Sequence, residues 1–411
     1  MSDGALIQND AVVVGLLAAT LGLVFWTTES THPFWRRLYR YVPALVLCYI
    51  VPALYNTFGL IDGAASQVYP VVSRYVLPAT LALLTLATDV PGILRLGPKL
   101  LILFLVGTAG VIIGGPVALA LWQVLTPDAV DGDVWRGLAG VAGSWIGGSA
   151  NQAAMKDVFE IDANLFGTMV AVDVIVSSLW LALLLWIAAN QQRIDARHRA
   201  DTAVLETLRQ HVAELETEQP RAPRLPDLVY VFAIAFGAMG LSHALARPLA
   251  AAFEGVAWAE RASLASQFFW IVVLATTAGL TLSFTRARRL ELVGASRVGT
   301  LLLYVLIASI GMQMNLRAIA TEPALFGLGL TWIAIHGALI YAVARWLRAP
   351  MFYLAVGSEA NIGGAASAPI VAAAFHPALA PVGVLFAVLG YALGTYGGWL
   401  TGLLMRMVAG Q

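Results

Sequence analysis

Apolar runs of about 18 to 27 residues recur twelve times along the chain, at 10–28, 41–59, 70–90, 99–124, 136–158, 164–189, 228–252, 266–285, 298–318, 324–346, 350–375 and 380–406. A soluble domain has no room to bury so many. A hydrocarbon layer of roughly 30 Å is crossed by about 20 such residues in a helix, and a helix satisfies its own backbone groups there. The expected fold class is therefore an all-α polytopic membrane protein. Only 12% of the 411 residues are charged, too few to solvate a soluble surface. The 24 basic and 24 acidic residues balance, which gives no reason to expect a nucleic-acid partner. The single cysteine, Cys48, can form neither an intrachain disulfide nor a thiolate metal site, and the six histidines lack ligand spacing. The polar start, Met1 to Asp10, carries no basic residue, so no cleavable signal peptide is expected.

One polar stretch interrupts the pattern. Residues 190–225 are charged and close with Pro220 and Pro223, with Pro226 next, and Leu205, Leu208, Val212 and Leu215 form a helical stripe within them. A short amphipathic linker helix is expected there. It separates a first repeat, 1–189, from a second, 226–411, each with six apolar segments. In each half the fifth segment is rich in glycine: "GVAGSWIGGSANQAAMKDVF" at 140–159 and "AVGSEANIGGAASAPIVAAAF" at 355–375. Interrupted segments at matching places in two halves point to a transporter built from internal repeats.

Charge distribution adds a topology. Basic residues follow the first and third segments of the first half (Arg36, Arg37, Arg40; Arg95, Lys99). In the second half they follow the second and fourth (Arg286, Arg288, Arg289, Arg297; Arg345, Arg348). The loop at 127–135 is acidic instead, with Asp128, Asp131 and Asp133. Under the positive-inside rule the bias flips between halves, so equivalent segments should run in opposite directions. If each interrupted segment is a re-entrant hairpin, each half has five crossings and the repeats are inverted. The linker then lies in the cytoplasm and both termini outside. A broken helix that crosses fully is the rival arrangement.

Irregular backbone at membrane depth must be buried or line water, and half-helix ends there suit anions or cations according to their polarity. The first break offers Ser144, Ser149, Asn151 and Gln152 around Gly147 and Gly148 as substrate-binding candidates. The second offers Asn361, with Ser358, Glu359 and Ser367, around Gly363 and Gly364. Close helix packing alone could account for the glycines and serines. It does not account for amides and an acid in segments this apolar, since each costs several kcal/mol unless partnered. Asp173 lies about ten residues into a span with no other charge, which makes it an ion-coupling candidate as a sodium ligand or proton carrier. Ser177, one turn on, could share its face. Glu359 could be a second cation or proton site. Counted from Gly148 and Gly364, Asp173 is equivalent to Leu389, so nearby Tyr391 could complete the ion site. Asp89 reads as a span end and His336 as a packing residue.

"GSWIGGSANQAAM", "VDVIVSSLW" and "GSEANIGGAASAPIVAAAF" resemble the domain of unknown function 819 family of bacterial membrane proteins. That family is grouped with the cation:proton antiporter and anion transporter superfamily. The resemblance runs from the first apolar segments to "LGYALGTYGG". It implies a multi-pass protein of the bacterial inner membrane with an inverted-repeat fold. It also implies a homodimer and a transport domain that moves as an elevator past a scaffold, with substrate and coupling ion on the interrupted segments. It supplies no substrate. Gln152 stands where the family is expected to have an aromatic or aliphatic residue, which implies a pocket of different polarity here.

The functional expectation is a secondary active transporter of a small anionic or zwitterionic organic solute, coupled to Na+ or H+. No cofactor is expected apart from Na+ in that coupling role. The absence of a Gly-Lys-Ser/Thr motif argues against ATP as the energy source. An intramembrane enzyme would need a catalytic pair that Ser149 and Asp173 lack, so no enzymatic activity is expected. A channel or a sensor using the 190–225 linker is the alternative.

Overall fold

The computed structural model describes residues 6–42, 44–198, 200, 221–316, 322–376 and 379–411. The expected stripe of Leu205, Leu208, Val212 and Leu215 lies outside the described residues. Each apolar run becomes helix, because only a helix closes its own hydrogen bonds in so apolar a sequence. The main helices of the first half are α1 (Asp10–Thr28), α2 (Ala44–Thr57), α3 (Val68–Leu86, containing a π-turn at Val72–Val76), α4 (Pro98–Leu125), α5 (Val134–Val158) and α6 (Ala163–Ala189). Those of the second are α7 (Leu225–Ala251), α8 (Gln267–Ser283), α9 (Ala295–Gly311), α10 (Pro323–Trp346), α11 (Met351–Ile362), α12 (Gly364–Phe375) and α13 (Ala380–Val408). Among the described residues there is no strand, only an isolated bridge between Ile7 and Ile61.

Seven of these helices are long and apolar enough to cross a membrane, or up to nine if two bent pairs each count as one span. The bent pairs supply α2 and α8, which are short by themselves. The 17-residue α9 is about 25 Å long at 1.5 Å per residue, less than a full bilayer core.

The glycine-rich segments do not run straight. In α5 the helical path breaks at Gly147 (φ −143°, ψ 18°) and Gly148 (φ 72°, ψ −178°). Beyond the break the chain returns: Arg136 Nη1 donates to the Phe159 carbonyl at 2.7 Å. In a straight helix residues so placed would lie about 34 Å apart. α5 is therefore a helical hairpin with its tip at Gly147–Gly148. α11 and α12 form a second hairpin with its tip at Gly363–Gly364, because the Phe352 and Phe375 rings, at opposite ends, meet with centroids 5.5 Å apart. Glycine is needed at both tips, since Gly148 (φ 72°) and Gly364 (φ 56°) adopt a conformation that a side chain resists.

The helices pack into two bodies, each drawing the same elements from both halves. α1–α3 pack with α7–α9 in the first body. The second holds α4, the hairpin α5 and α6 from one half, and α10, the hairpin α11–α12 and α13 from the other. Glycines let α13 press against α5: a methyl group on Gly147 would stand 2.6 Å from both the Gly390 carbonyl oxygen and the Gly394 Cα.

Candidate functional site

Both hairpins end inside the second body, against α13. The Ile146 carbonyl next to the first tip and the Ala360 carbonyl near the second face the same residue, Gly390. Carbonyls at broken helix ends are negative dipole ends, so their convergence favours a cation.

Asp173 joins the two arms of the first hairpin. On α6, with 7% of its surface exposed, it accepts three hydrogen bonds. Ser144 Oγ donates to Oδ2 at 2.6 Å, and Trp145 Nε1 donates to Oδ1 at 2.7 Å. Both belong to the first arm. Gln152 Nε2, from the second arm, donates to Oδ2 at 3.3 Å. A buried carboxylate needs such donors, because leaving it bare in an apolar interior costs several kcal/mol. Three of the expected residues, Ser144, Gln152 and Asp173, thus meet at one point. Trp145, which carried no expectation from the sequence, joins them. Asp162 starts α6 in the right place by accepting from the Asn164 and Leu165 backbone at 2.9 and 3.2 Å.

Asn151 and Asn361 are placed differently from the expectation that they orient a solute. Asn151 Nδ2 donates to the Gly147 carbonyl at 2.8 Å and the Tyr391 carbonyl at 3.0 Å, and its Oδ1 accepts from Thr395 Oγ1 at 2.6 Å. Asn361 repeats the pattern on α4. Its Nδ2 donates to the carbonyls of Gly357 at 2.9 Å and Phe104 at 3.0 Å, while Oδ1 accepts from Thr108 Oγ1 at 2.8 Å. Each amide bonds the carbonyl four residues before it, then a carbonyl and a threonine one turn apart on a neighbouring helix. Both are fully buried. These amides are clasps that fasten each hairpin to a long helix, with both ends engaged by protein.

Glu359 is 1% exposed; Ser367 Oγ donates to its Oε1 at 2.5 Å, while Oε2 is buried without a hydrogen bond. That orphan oxygen, beside the second tip, is a place where a cation or proton has something to bind. Tyr391 borders the first tip, its ring carbon Cε1 lying 3.2 Å from where a Gly148 side chain would start. Ser149 is half-buried at that tip. Ser177 does not join Asp173: its hydroxyl donates to the Val174 carbonyl at 3.3 Å, as serines in apolar helices often do.

One constellation escaped sequence reasoning. Ser358 and His336, both fully buried, form a chain with Trp180. The Trp180 indole donates to Ser358 Oγ at 2.8 Å, and His336 Nε2 lies 2.7 Å from the same oxygen. His336 Nδ1 lies 3.0 Å from the Gly107 carbonyl, which assigns the ring hydrogen to Nδ1. Ser358 then donates to Nε2. The chain ties α4, α6, α10 and α11 together, so His336 is a satisfied packing residue.

Comparison with known proteins fits this picture. Residues 15–408 match the family described as "Protein of unknown function (DUF819)". The chain belongs to the DUF819 family. It is also similar to the "Uncharacterized membrane protein YjcL" of Bacillus subtilis (strain 168), at 26% identity over 344 residues, or 82% of this chain and 83% of that protein. The apolar helices and this membership make the chain a polytopic membrane protein.

Proposed function

We propose that this DUF819 member is a secondary active transporter of a small organic solute, anionic or zwitterionic, driven by Na+ or H+. The observation that carries this reading is the bridging of both hairpin arms by Asp173. A cation arriving at that carboxylate competes for the bonds that hold the arms together. Ion binding is thereby coupled to the shape of the first tip. The carbonyls of Ile146 and Ala360, which converge on Gly390, supply further cation ligands at the tips, with Tyr391 at the border. The N-terminal end of the second arm, at Ser149, receives the negative group of the solute. Glu359, with one free oxygen, is the second ion or proton site.

Two bodies of matching composition suit a moving transport domain and a scaffold. In this reading the halves are inverted, the hairpins re-enter the bilayer of the bacterial inner membrane, and the protein works as a homodimer. No enzymatic activity is part of this reading. One contact favours the alternative of a sensor: Asp195, in the helix Gln191–His198 that begins the linker, accepts from the Met351 backbone at the base of the second hairpin at 2.9 Å.

The test is thermal stability of purified protein in detergent, comparing Na+ with K+ across pH and a panel of small organic acids. A ligand at a hundred times its dissociation constant adds about 2.7 kcal/mol to the native state. A Na+-specific shift that vanishes in Asp173→Asn supports a sodium site. A pH dependence without cation specificity supports proton coupling. A flat response to every ion, pH and acid would refute the transporter reading.

A further inference from the structure

The seam between the two bodies carries a buried polar cluster that the ion site does not use. Lys156 and Asp157 lie near the end of the second arm of hairpin α5. They face Tyr69 and Ser73 on α3, and Gln313 just beyond α9. Tyr69 Oη donates to Asp157 Oδ1 at 2.5 Å, and Ser73 Oγ donates to Asp157 Oδ2. Lys156 Nζ donates to Gln313 Oε1 at 3.3 Å and stands 4.0 Å from the centre of the Tyr69 ring, a cation–π contact. Lys156 is only 6% exposed, Tyr69 7% and Ser73 4%. Tyr69 and Ser73 are one turn apart and so share a face of α3, with Ser73 inside the π-turn.

Every one of these contacts crosses from the second body to the first. The matching arm of the other hairpin has nothing comparable. Counted from the tip glycines, Lys156 and Asp157 correspond to Ala372 and Ala373. A charged tie from a hairpin arm is therefore present on the first hairpin and not on the second. Burying a lysine is costly unless it is bonded, and the half-buried Asp157 beside it is held by two hydroxyl donors from the other body. The seam is also bridged where α8 meets α13, by neutral hydroxyl pairs, Thr276 with Thr395 at 2.9 Å and Thr277 with Tyr396 at 2.7 Å; the Lys156–Asp157 cluster differs from these in carrying charged groups.

We propose that Lys156 and Asp157, with Tyr69, Ser73 and Gln313, form a latch that holds the two bodies in one relative position. It opens each time the second body moves. The inference rests on the transport reading in that the bodies must shift past one another. A symmetric pair of hairpins with a latch on one alone gives the molecule a preferred resting state.

The experiment measures the distance between the bodies without any solute. Spin labels are placed at Ala64→Cys, in the loop before α3, and Asp128→Cys, in the loop before α5, both exposed. The native Cys48 is fully buried and leaves the labelling to these two. Pulsed electron–electron resonance is then compared in the parent, Tyr69→Phe and Asp157→Asn. Charge-assisted hydrogen bonds are the strong ones. Their loss is expected to raise a second distance population on the order of tenfold relative to the first. Tyr69→Phe keeps the ring against Lys156 and is the deciding variant, its fold checked by a cooperative melt. Unchanged distances in a folded Tyr69→Phe and Asp157→Asn would overturn the latch. So would a loss of stability without a change in distance, which would make the cluster ordinary packing. Failure of the transport reading appears elsewhere, as no solute flux in parent proteoliposomes despite a distance shift in the variants.

Discussion

Replacing Asp173 by alanine and by asparagine separates its structural role from its charge. The carboxylate accepts from Ser144, Trp145 and Gln152. Hydrogen bonds to a charged group contribute about 1.5–3 kcal/mol each, and three on one carboxylate do not add fully. Alanine removes all three. Ser144 and Gln152 can find other partners by rotating, but the Trp145 indole is a donor only and is fully buried. Left unpaired it costs about 1–3 kcal/mol by itself. Asp173→Ala should therefore lose about 3–5 kcal/mol in all. Asparagine keeps an oxygen for Trp145, while its amide can donate to the Ser144 hydroxyl and to a reversed Gln152 side chain. Its cost should stay within about 1–2 kcal/mol. Cys48, the chain's one cysteine and fully buried, supplies the assay: a thiol-reactive fluorogenic dye in detergent reports unfolding as the thiol becomes accessible. Alanine should melt several degrees below asparagine, and asparagine close to the parent. If the alanine variant were as stable as asparagine, the bridge would not be holding the hairpin.

Other outcomes follow from the same geometry. Gly148→Ala should lose about 1–3 kcal/mol, because φ 72°, ψ −178° is a backbone region that hardly any residue but glycine adopts, and more than Gly364→Ala, because Tyr391 crowds only the first tip; comparative melting checks the order. Gly147→Ala, whose methyl would meet the backbone of α13 at 2.6 Å, should abolish folded material on size-exclusion chromatography. Asn151→Ala and Asn361→Ala should each cost about 1–3 kcal/mol and to a similar degree, since the two clasps have the same bonds; a neutral result for either would refute its role. Ser358 should resist a fluorophosphonate probe, and labelling there by mass spectrometry would contradict its reading as a buried junction.

How much of this could be read from the sequence depended on whether a feature is local. The helices were legible because an apolar run in lipid has few alternatives to helix. The tips were legible because their glycine pairs sit beside polar residues at matching places in the two halves; a glycine pair alone is not enough, since Gly114–Gly115 and Gly397–Gly398 stay inside continuous helices. The partners of the polar side chains were harder. Asp173 stood out as a lone charge, and Ser144 and Gln152 were expected near the site, while Trp145 between them drew no expectation at all. Ser177 was expected beside Asp173 from helical spacing, which fixes the face but not where a hydroxyl turns; it turned to its own backbone. Ser358 and His336 lie 22 residues apart on different helices, so only the packing of α10 on α11 brings them together. The clasps had a local signal: Phe104 and Thr108, like Tyr391 and Thr395, are one turn apart. Their amide partners come from distant segments.

The two hairpins are held alike but equipped differently, and the difference bears on mechanism. Each is fastened by one asparagine to a carbonyl and a threonine on a long helix. Their acids are not shared. Counted from the tip glycines, Asp173 has Leu389 as its counterpart, and Glu359 has Gly143. If both hairpins bound the same species in the same way, an acid on one would be expected to recur on the other. Instead the first hairpin is bridged by a carboxylate with three donors, and the second contains a carboxylate with an unbonded oxygen. On the proposed reading, a cation at Asp173 would compete with three existing bonds, whereas one at Glu359 would meet an oxygen that has none. The first event would loosen a hairpin and the second would tighten one. In the proposed transport cycle, equal clasps with unequal acids would let a single ion act in opposite senses on the two hairpins.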